Sequence, residues 1–347
     1  MQDLKKRKHD KKLDLKKKII IIAEIGLNHN GSFILAKKNM LAAFKAGADL
    51  VKFQNFKTED FLKDKKVKWT EGGERKSLFD ICKKNEFKDD WFDKLIKIAK
   101  SKGKDIFSTP TSISMTDNLI KRNITIVKNG SDYLTNLPLI DYFSKKFKTI
   151  ILSTGMADEN QIRDALKVIK KGNSSVILLH CTSIYPTPDS LATLNRIETL
   201  KKRFNLDVGF SDHTKGWIAA TLAVAKGARI IEKHFTLNKN MRGPDHWFSL
   251  NPKEFKNYVE KIRLAEKMLG KKTLDPTARE AKNRHSMQVS MVCNRVLKKN
   301  EKIKLSFFDI LKSKSRSLTY AQFGKIIGKK LKINKKIGDS INLKDVK

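Results

Sequence analysis

The stretch AGADLVKF at residues 46–53 ends a helix-like segment, turns at a glycine and begins a short apolar run. KGARIIEK at 226–233 repeats this order of helix end, tight turn and strand. Around these two stretches, short apolar runs alternate with amphipathic segments, which is typical of βα units around a parallel sheet. The sequence therefore predicts an α/β fold.

The number of βα units favours a closed barrel. We predict strands at 18–25, 49–53, 105–108, 125–128, 149–152, 175–179, 207–209 and 229–232. Helices are predicted at 33–46, 89–102, 158–171, 215–226 and 252–269. Eight strands followed by helical sequence in about 250 residues indicate a (β/α)8 TIM barrel. A doubly wound open sheet competes, but no GxGxxG follows the first strand.

The βα pattern stops after residue 269, which predicts a second domain. We expect a barrel over residues 18–270, a polar linker over 271–284 and a small β-rich domain over 285–347. The basic residues 1–17 are expected to form a disordered, solvated tail without a signal peptide.

Basic residues outnumber acidic ones by 74 to 37, which gives a net charge of +37. Such an excess can mark a protein that binds nucleic acid or an anionic membrane. The lysines are spread along the chain, however, so we expect a solvated surface with no nucleic-acid or membrane partner. A nucleic-acid-binding protein on an inactive barrel remains a remote alternative.

Cysteine content and hydropathy bear on the compartment. Three cysteines, Cys82, Cys181 and Cys293, cannot build a disulfide framework, which suits a reducing cytoplasm. No apolar run approaches the roughly 20 residues of a membrane helix. We expect a cytoplasmic protein.

Chemically capable side chains follow every predicted strand, where a barrel places its active site. They include five of the seven histidines. The set is Glu24, Asn28, His29, Lys52, Gln54, Thr109, Lys128, Ser131, Ser153, Thr154, His180, Thr182, Ser183, Ser211, Asp212, His213, Glu232, Lys233, His234, Asp245 and His246. Their joint position predicts an active site at this face.

Two lysines in this set, Lys52 and Lys128, suit a dianionic ligand when hydroxyls surround them. Those hydroxyls belong to Thr109, Ser131, Ser153 and Ser211. Alternatively, the lysines are buried and paired with Glu24 or Glu232, or one forms a Schiff base. Two cations beside a hydroxyl cluster favour anion binding.

Two histidines, His213 and His234, end adjacent predicted strands, so their imidazoles can converge on one divalent metal ion. Two histidines with oxygen or water ligands suit Mn²⁺, with Zn²⁺ or Mg²⁺ as alternatives. Open coordination positions would allow Lewis-acid chemistry.

Several long motifs resemble the sialic acid synthase family. They are IIAEIGLNHNGS (21–32), VKFQNFK (51–57), STGMA (153–157), LLHCTSIYPTP (178–188), GFSDHT (209–214), IIEKHFTL (230–237) and GPDH (243–246). The resemblance covers about residues 20–269. Members condense phosphoenolpyruvate with N-acetylmannosamine or a related acetamido sugar, releasing phosphate. The resemblance implies a (β/α)8 barrel, a C-terminal antifreeze-like (SAF) domain, a divalent metal and a domain-swapped homodimer.

The resemblance also implies roles for particular residues. The metal ligands match His213 and His234. The phosphoenolpyruvate ligands match Lys52, Thr109, Lys128, Ser131, Ser153, Ser183 and Ser211. The sugar contacts match Gln54, Tyr185 and Asp245. The candidates for moving protons are Glu24, Glu232 and Asp245, among which the sequence does not choose.

Two positions depart from the family pattern. Tyr133 stands where the family has an acidic residue, with Asp132 next to it. Ser313 stands where a turn arginine normally reaches the partner's site, and the nearby Arg316 is a candidate sugar contact in its place. A related synthase that joins phosphoenolpyruvate to a phosphorylated aldose, giving a 3-deoxy-sugar acid, is the alternative function.

Overall fold

The structure, a computed structural model, describes residues 13, 15, 17–71, 74–313 and 317–347. The basic tail expected at 1–17 falls largely outside the described residues, but the expectation of a solvated chain is wrong at Leu15, which is buried in the apolar cluster with Ile20 and Leu50 and whose carbonyl accepts a 2.8 Å hydrogen bond from Arg229. The described chain divides into two compact units, residues 1–270 and 271–347. Within the described residues, no helix is both long and apolar enough to cross a bilayer.

The described strands are β1 (Ile20–Gly26), β2 (Leu50–Asn55), β3 (Lys68–Glu71), β4 (Glu74–Ser77), β5 (Asp105–Pro110), β6 (Ile126–Asn129), β7 (Thr149–Ser153), β8 (Ser175–His180), β9 (Asp207–Asp212), β10 (Ile230–His234), β11 (Val289–Cys293) and β12 (Phe308–Lys312). Eight of these described strands close a parallel barrel in the order β1-β10-β9-β8-β7-β6-β5-β2. The (β/α)8 prediction is confirmed, and the open sheet is excluded.

The described helices are α1 (Phe33–Lys45), α2 (Thr58–Phe61), α3 (Leu78–Lys84), α4 (Asp89–Ser101), α5 (Ile113–Ile120), α6 (Leu137–Lys146), α7 (Glu159–Ile169), α8 (Asn195–Phe204), α9 (Ile218–Ala225), α10 (Pro252–Leu269), α11 (Ala278–Met287) and α12 (Tyr320–Phe323). Apolar residues at helical spacing bury one side of each long helix. In α7 these are Ile162, Ala165, Leu166 and Ile169. A capping box between Asp158 and Gln161 begins α7.

The barrel interior changes from apolar to polar toward the carboxyl ends of its strands. In β1 the inward column runs Ile20, Ile22 and Glu24, because alternate residues of a strand face the same side. In β2 it runs from Leu50 to Lys52. Apolar residues thus fill the lower interior, and the charged ones are held above that floor.

The second unit has its own core. Strands β11 and β12 pair antiparallel, and residues including Met291, Leu297, Phe308, Phe323 and Leu331 form a separate buried cluster. The polar stretch 271–284, predicted as a linker, belongs to this unit and contains most of α11.

Candidate active site

The residues that were assigned a catalytic, phosphoenolpyruvate-binding, sugar-binding or metal-binding role, where the structure describes them, line one cavity of about 380 Å³ at the carboxyl ends of the barrel strands. They are Glu24, Lys52, Gln54, Thr109, Lys128, Ser131, Ser153, Ser183, Tyr185, Ser211, His213, Glu232, His234 and Asp245. Arg316, the candidate sugar contact of the second domain, lies outside the described residues.

Both cavity lysines are paired with buried glutamates. The Lys52 ammonium lies 2.8 Å from Glu24 Oε2 and 3.9 Å from Glu232 Oε2, and it donates a 2.9 Å hydrogen bond to Thr109 Oγ1. The Lys128 ammonium lies 2.9 Å from Glu232 Oε1, which also accepts a 2.8 Å bond from Ser211 Oγ. The ion pairs that the sequence left as an alternative are present, and hydroxyls border them.

The two glutamates are in different electrostatic environments. Burial raises the pKa of Glu24 because the opposing effect of Lys52 is smaller than the loss of solvation. Burial would also raise the pKa of Glu232, but the ammonium groups of Lys128 and Lys52 outweigh it and hold that pKa well below its usual range. Glu232 is therefore the fixed anion, and Glu24 is the carboxyl group more easily protonated.

Lys52 itself is held as a cation. Burial would lower the pKa of Lys52, but the carboxylates of Glu232 and Glu24 outweigh burial and raise it. A Schiff base needs a neutral amine, so this environment does not favour Lys52 as a nucleophile.

A pocket of small hydroxyl side chains lies on another part of the wall. Ser131 Oγ and Ser183 Oγ are 3.0 Å apart, and Ser153 is buried beside them in the cavity lining. Gly155 makes this packing possible, because a Cβ there would lie 2.4 Å from Ser183 Oγ and 2.7 Å from Cys181 Sγ. The glycine of STGMA is therefore required by close approach.

The imidazoles of His213 and His234 lie side by side in an edge-to-face arrangement, with ring centroids 5.8 Å apart. Burial lowers the pKa of His213 to about 4 and lowers that of His234 well below its usual value, so both rings are neutral. The Thr182 carbonyl accepts a 2.9 Å hydrogen bond from His213 Nδ1, so the ring lone pair is on Nε2, which lies 3.4 Å from Ser211 Oγ, a hydroxyl that donates to Glu232. Buried His234 Nδ1 has no hydrogen-bond partner among the described residues.

Two neutral imidazoles with available nitrogens fit a divalent metal ion. Among the described residues, no group of three or more His, Cys, Asp or Glu side chains is arranged to hold an ion. A metal here would therefore take its remaining ligands from water or substrate, which leaves positions open for chemistry.

The β1 loop positions Asp245. Its Oδ2 accepts a 3.0 Å hydrogen bond from the Leu27 amide and lies 3.9 Å from His234 Nδ1. Gly26 allows this approach, because it has φ +51° and a Cβ there would lie 2.5 Å from the Asp245 carboxylate. Tyr185 packs against the His213 ring with the ring centroids 4.1 Å apart, so it forms one wall beside the histidines.

Three of the five histidines expected at this face do not line the cavity. His180 faces the helix layer, where it stacks on Phe210 and bonds the Ala192 carbonyl at 2.7 Å. His29 packs edge-on against aromatic rings, and His246 bonds Thr236 Oγ1 at 2.6 Å. These residues fix the loops around the site.

Further residues line the cavity that the sequence did not assign to it. They are Leu27, Thr111, Gly130, Asp132, Tyr133, Met156, Cys181 and Phe248. Asp132 and Tyr133, noted only as a departure from the family pattern, both reach the cavity. Burial raises the pKa of Asp132, so its carboxyl group resembles that of Glu24 more than that of Glu232. Cys181 lies within the motif LLHCTSIYPTP (178–188), whereas no local sequence pattern marks Phe248.

A (β/α)8 barrel with two buried lysines, a hydroxyl pocket and two neutral histidines at the carboxyl ends of its strands has the site of a barrel enzyme that acts on an anionic substrate. Comparison with known proteins identifies the family of this enzyme. The NeuB family model matches residues 40–274, and the chain belongs to this family of sialic acid synthases. It is a transferase-type synthase.

Individual relatives match over most of their length. An N,N'-diacetyllegionaminic acid synthase of Campylobacter jejuni is 41% identical over 294 residues, covering 82% of this chain and 87% of the relative. A Legionella pneumophila protein of the same name is 37% identical and covers 92% of both chains. The solved N-acetylneuraminic acid synthetase of Leptospira borgpetersenii, in complex with citrate, has TM-score 0.72 and 34% identity, covering 78% of this chain and 93% of that one.

Proposed function

We propose that this enzyme condenses phosphoenolpyruvate with an N-acetylated amino sugar to give a nonulosonic acid and phosphate. The reaction uses a divalent metal ion, for which Mn²⁺ is our first candidate. The observation that carries the proposal is the single cavity in which two lysines, a hydroxyl pocket and two neutral histidines converge. Relatives named as N,N'-diacetyllegionaminic acid synthases support a diacetamido sugar as the preferred acceptor.

Phosphoenolpyruvate is the anion that this cavity suits. Lys52 and Lys128 supply the positive charge, and Thr109, Ser131, Ser153, Ser183 and Ser211 supply directional donors. To receive the substrate, the lysines exchange contacts with Glu24 and Glu232 for contacts with phosphate and carboxylate oxygens. The acceptor sugar then lies toward Gln54, Tyr185 and Asp245, next to the histidines.

The reaction forms one carbon–carbon bond and one bond from C2 to a water oxygen, and it breaks the C2–O bond to phosphate. C3 of phosphoenolpyruvate attacks the aldehyde carbon of the open-chain sugar, water adds at C2, and the hemiketal phosphate collapses to release phosphate. A divalent ion held by His213 and His234 would polarise the aldehyde oxygen. Glu232, the fixed anion, lies where it can stabilise positive charge developing at C2.

Glu24 is our candidate for the proton transfers. Its raised pKa makes the protonated form accessible, so it can donate to the developing alkoxide oxygen of the acceptor. Gln54 Nε2 donates a 2.8 Å hydrogen bond to Glu24 Oε1 and thereby orients the carboxyl group. Asp245 remains a second candidate on the sugar side of the cavity.

The second unit and the assembly belong to the same proposal. On the family resemblance, residues 285–347 form an SAF domain that completes the site of the partner in a cytoplasmic homodimer, with Arg316 toward the sugar. Light scattering of the purified chain should give twice the mass of the 39.7 kDa polypeptide. A monomer that is fully active would contradict this assembly.

The decisive assay measures phosphate release from phosphoenolpyruvate by chelator-treated protein, with and without Mn²⁺. The acceptors are N-acetylmannosamine, 2,4-diacetamido-2,4,6-trideoxyhexoses and a phosphorylated aldose. We expect metal-dependent release with the acetamido sugars, fastest with a diacetamido sugar. Release with the phosphorylated aldose alone would support the 3-deoxy-sugar acid alternative, and no release together with salt-sensitive DNA binding would support the nucleic-acid alternative.

A pair of lysine variants tests the anion site. Lys128→Met should raise the KM for phosphoenolpyruvate far more than the KM for the sugar, because it removes a cation from the cavity. Lys226→Met is the control, since its ammonium pairs with Glu198 at the surface at 3.5 Å. Equal effects of Lys128→Met on both substrates would contradict an anion-specific role.

A further inference from the structure

Asp212 and Lys233 stand between the cavity residues of β9 and β10 but point the other way. The parallel register pairs Ser211 with Glu232 and Asp212 with Lys233. Side chains alternate along a strand, so Ser211, His213, Glu232 and His234 line the cavity while Asp212 and Lys233 face the helix layer. The proposed reaction has no use for these two charged groups.

The two outward residues form a closed network with α10. Lys233 Nζ lies 3.0 Å from Asp212 Oδ2, and Tyr258 Oη donates a 2.8 Å hydrogen bond to the same oxygen. Asp212 Oδ1 accepts bonds from the Thr214 amide at 2.8 Å and from Thr214 Oγ1 at 2.7 Å. Lys233 also donates to the Thr214 carbonyl. The chain on both sides of His213 is thus tied to β10 and α10.

The burial of this network argues against stability as its main role. Lys233, Asp212 and Tyr258 are each no more than 2% exposed. Taking two charges out of water costs several kcal/mol per ion, and well-packed apolar residues of similar volume are often at least as stable. What an ion pair with directional hydrogen bonds supplies, and an apolar pair does not, is a fixed relative position.

The position that it fixes is that of the two imidazoles. His213 lies between Asp212 and Thr214, and its carbonyl accepts a 2.8 Å bond from the Thr187 amide. His234 directly follows Lys233 on the neighbouring strand. A zinc–nitrogen bond, for example, is about 2.0–2.1 Å long, and a site must be held to within about 0.5 Å of its productive geometry. A shift of the Thr214 turn against β10 by more than that would take the two imidazoles out of reach of a common ion.

We propose that Asp212, Lys233 and Tyr258 are positioning residues that set the separation of His213 and His234 and thereby the affinity of the barrel for its divalent metal ion. This inference rests on the metal site of the proposed function. Loss of groups that orient metal ligands typically costs about 10–100-fold in metal affinity, and we expect that range here.

The test compares two neutralised ion pairs. The Asp212→Asn/Lys233→Met double variant keeps the side-chain volumes and an oxygen at position 212 that can accept from Thr214. It removes both charges and the hydrogen-bond donor of Lys233. Asp49→Asn with Arg263→Met is the control: Arg263 of α10 lies 2.6 Å from Asp49 at the opposite end of the barrel, in a pair that is less buried, with side chains 30% and 10% exposed. Tyr258→Phe removes a single hydroxyl.

The readouts are the Mn²⁺ Kd of chelator-treated full-length protein, measured without substrates, and the Tm. We expect the Asp212/Lys233 double variant to raise the Kd about 10–100-fold, Tyr258→Phe to raise it by a smaller factor, and the control to leave it unchanged. An unchanged Kd in the double variant, or an equal rise in the control, would overturn the inference.

Two further outcomes are separated by the same measurements. If the double variant does not fold, Tyr258→Phe decides, and an unchanged Kd there overturns the inference. If the unmodified protein binds no Mn²⁺, the metal assignment fails and the inference fails with it. If it binds Mn²⁺ and His213→Ala abolishes binding while the network variants do not weaken it, only the positioning role fails.

Discussion

Gly155→Ala is the sharpest steric test of the hydroxyl pocket. The new methyl carbon would lie 2.4 Å from Ser183 Oγ, 2.7 Å from Cys181 Sγ and 3.1 Å from Ser131 Cβ. Gly155 is not among the glycines with positive φ, so the backbone accepts alanine without strain. The whole effect therefore falls on the neighbouring side chains.

The magnitude follows from the geometry. Ordinary van der Waals contact begins near 3.4 Å, so Ser183 Oγ must retreat by about 1 Å and give up its 3.0 Å contact with Ser131 Oγ. If these hydroxyls bind the phosphate, the loss of one hydrogen bond to a charged group costs about 1.5–3 kcal/mol. The KM for phosphoenolpyruvate should then rise about 10–150-fold, with little change in the KM for the sugar.

The assay is phosphate release at varied phosphoenolpyruvate, together with a thermal melt of each variant. Gly324→Ala is the matched control, because a Cβ there meets nothing within 4 Å and its φ is −50°. An unchanged KM for phosphoenolpyruvate in folded Gly155→Ala would refute the assignment of this pocket to the phosphate. A larger effect on the sugar would move the pocket to the acceptor.

Three other predictions follow from buried groups. Burial lowers the pKa of His29 to about 4, whereas the unfolded imidazole titrates near 6.5, so the unfolded state binds more protons. The free energy of unfolding should therefore fall by up to about 3 kcal/mol from pH 7 to pH 4 because of His29. Urea unfolding of His29→Gln should show a shallower dependence on pH, and an identical dependence would contradict this. All three cysteines are buried, and burial raises the pKa of Cys82 and Cys293 to about 11. A thiol reagent at pH 8 should therefore label no cysteine in the folded protein and three after denaturation. Rapid labelling of the native state would contradict this prediction. Ser249 Oγ donates a 2.6 Å hydrogen bond to the Asp245 carbonyl and accepts one from Asn28. Ser249→Ala should therefore lower the free energy of unfolding by about 1–3 kcal/mol and raise the KM for the sugar. A change in the KM for phosphoenolpyruvate alone would contradict the sugar-side role of Asp245.

The barrel strands were predictable because burial on both faces leaves a strong local pattern. The strand predicted at 149–152 is observed as Thr149–Ser153, and the helix predicted at 252–269 is observed as Pro252–Leu269. Among the elements that were not predicted are strands β3 and β4 and helix α3. They lie in the charged segment DKKVKWTEGGERKSLFDICKK, residues 64–84, where lysine and glutamate mask any apolar period.

The site was predictable where family motifs mark it and less so where only strand ends do. A strand-end residue lines the cavity only if the alternation of side chains along its strand turns it inward. Its place at the end of a strand does not by itself show that direction. Leu179 faces the barrel interior, so His180 faces the helices and was wrongly expected at the mouth. Phe248 comes from a loop, where no period indicates direction.

The balance of charge in the cavity links the metal to the anionic substrate. Four carboxyl groups, of Glu24, Asp132, Glu232 and Asp245, line the cavity with two lysines, Lys52 and Lys128. Burial raises the pKa of Glu24 and of Asp132, and in their neutral forms the remaining two carboxylates only balance the two lysines. A buried anion needs compensating positive charge, because desolvation otherwise opposes its entry. The high net charge of the surface does not provide it, since exposed charges are screened within about 10 Å in salt. A divalent ion on His213 and His234 would add two positive charges inside the cavity, so the proposed metal would serve the binding of phosphoenolpyruvate as well as the activation of the aldehyde.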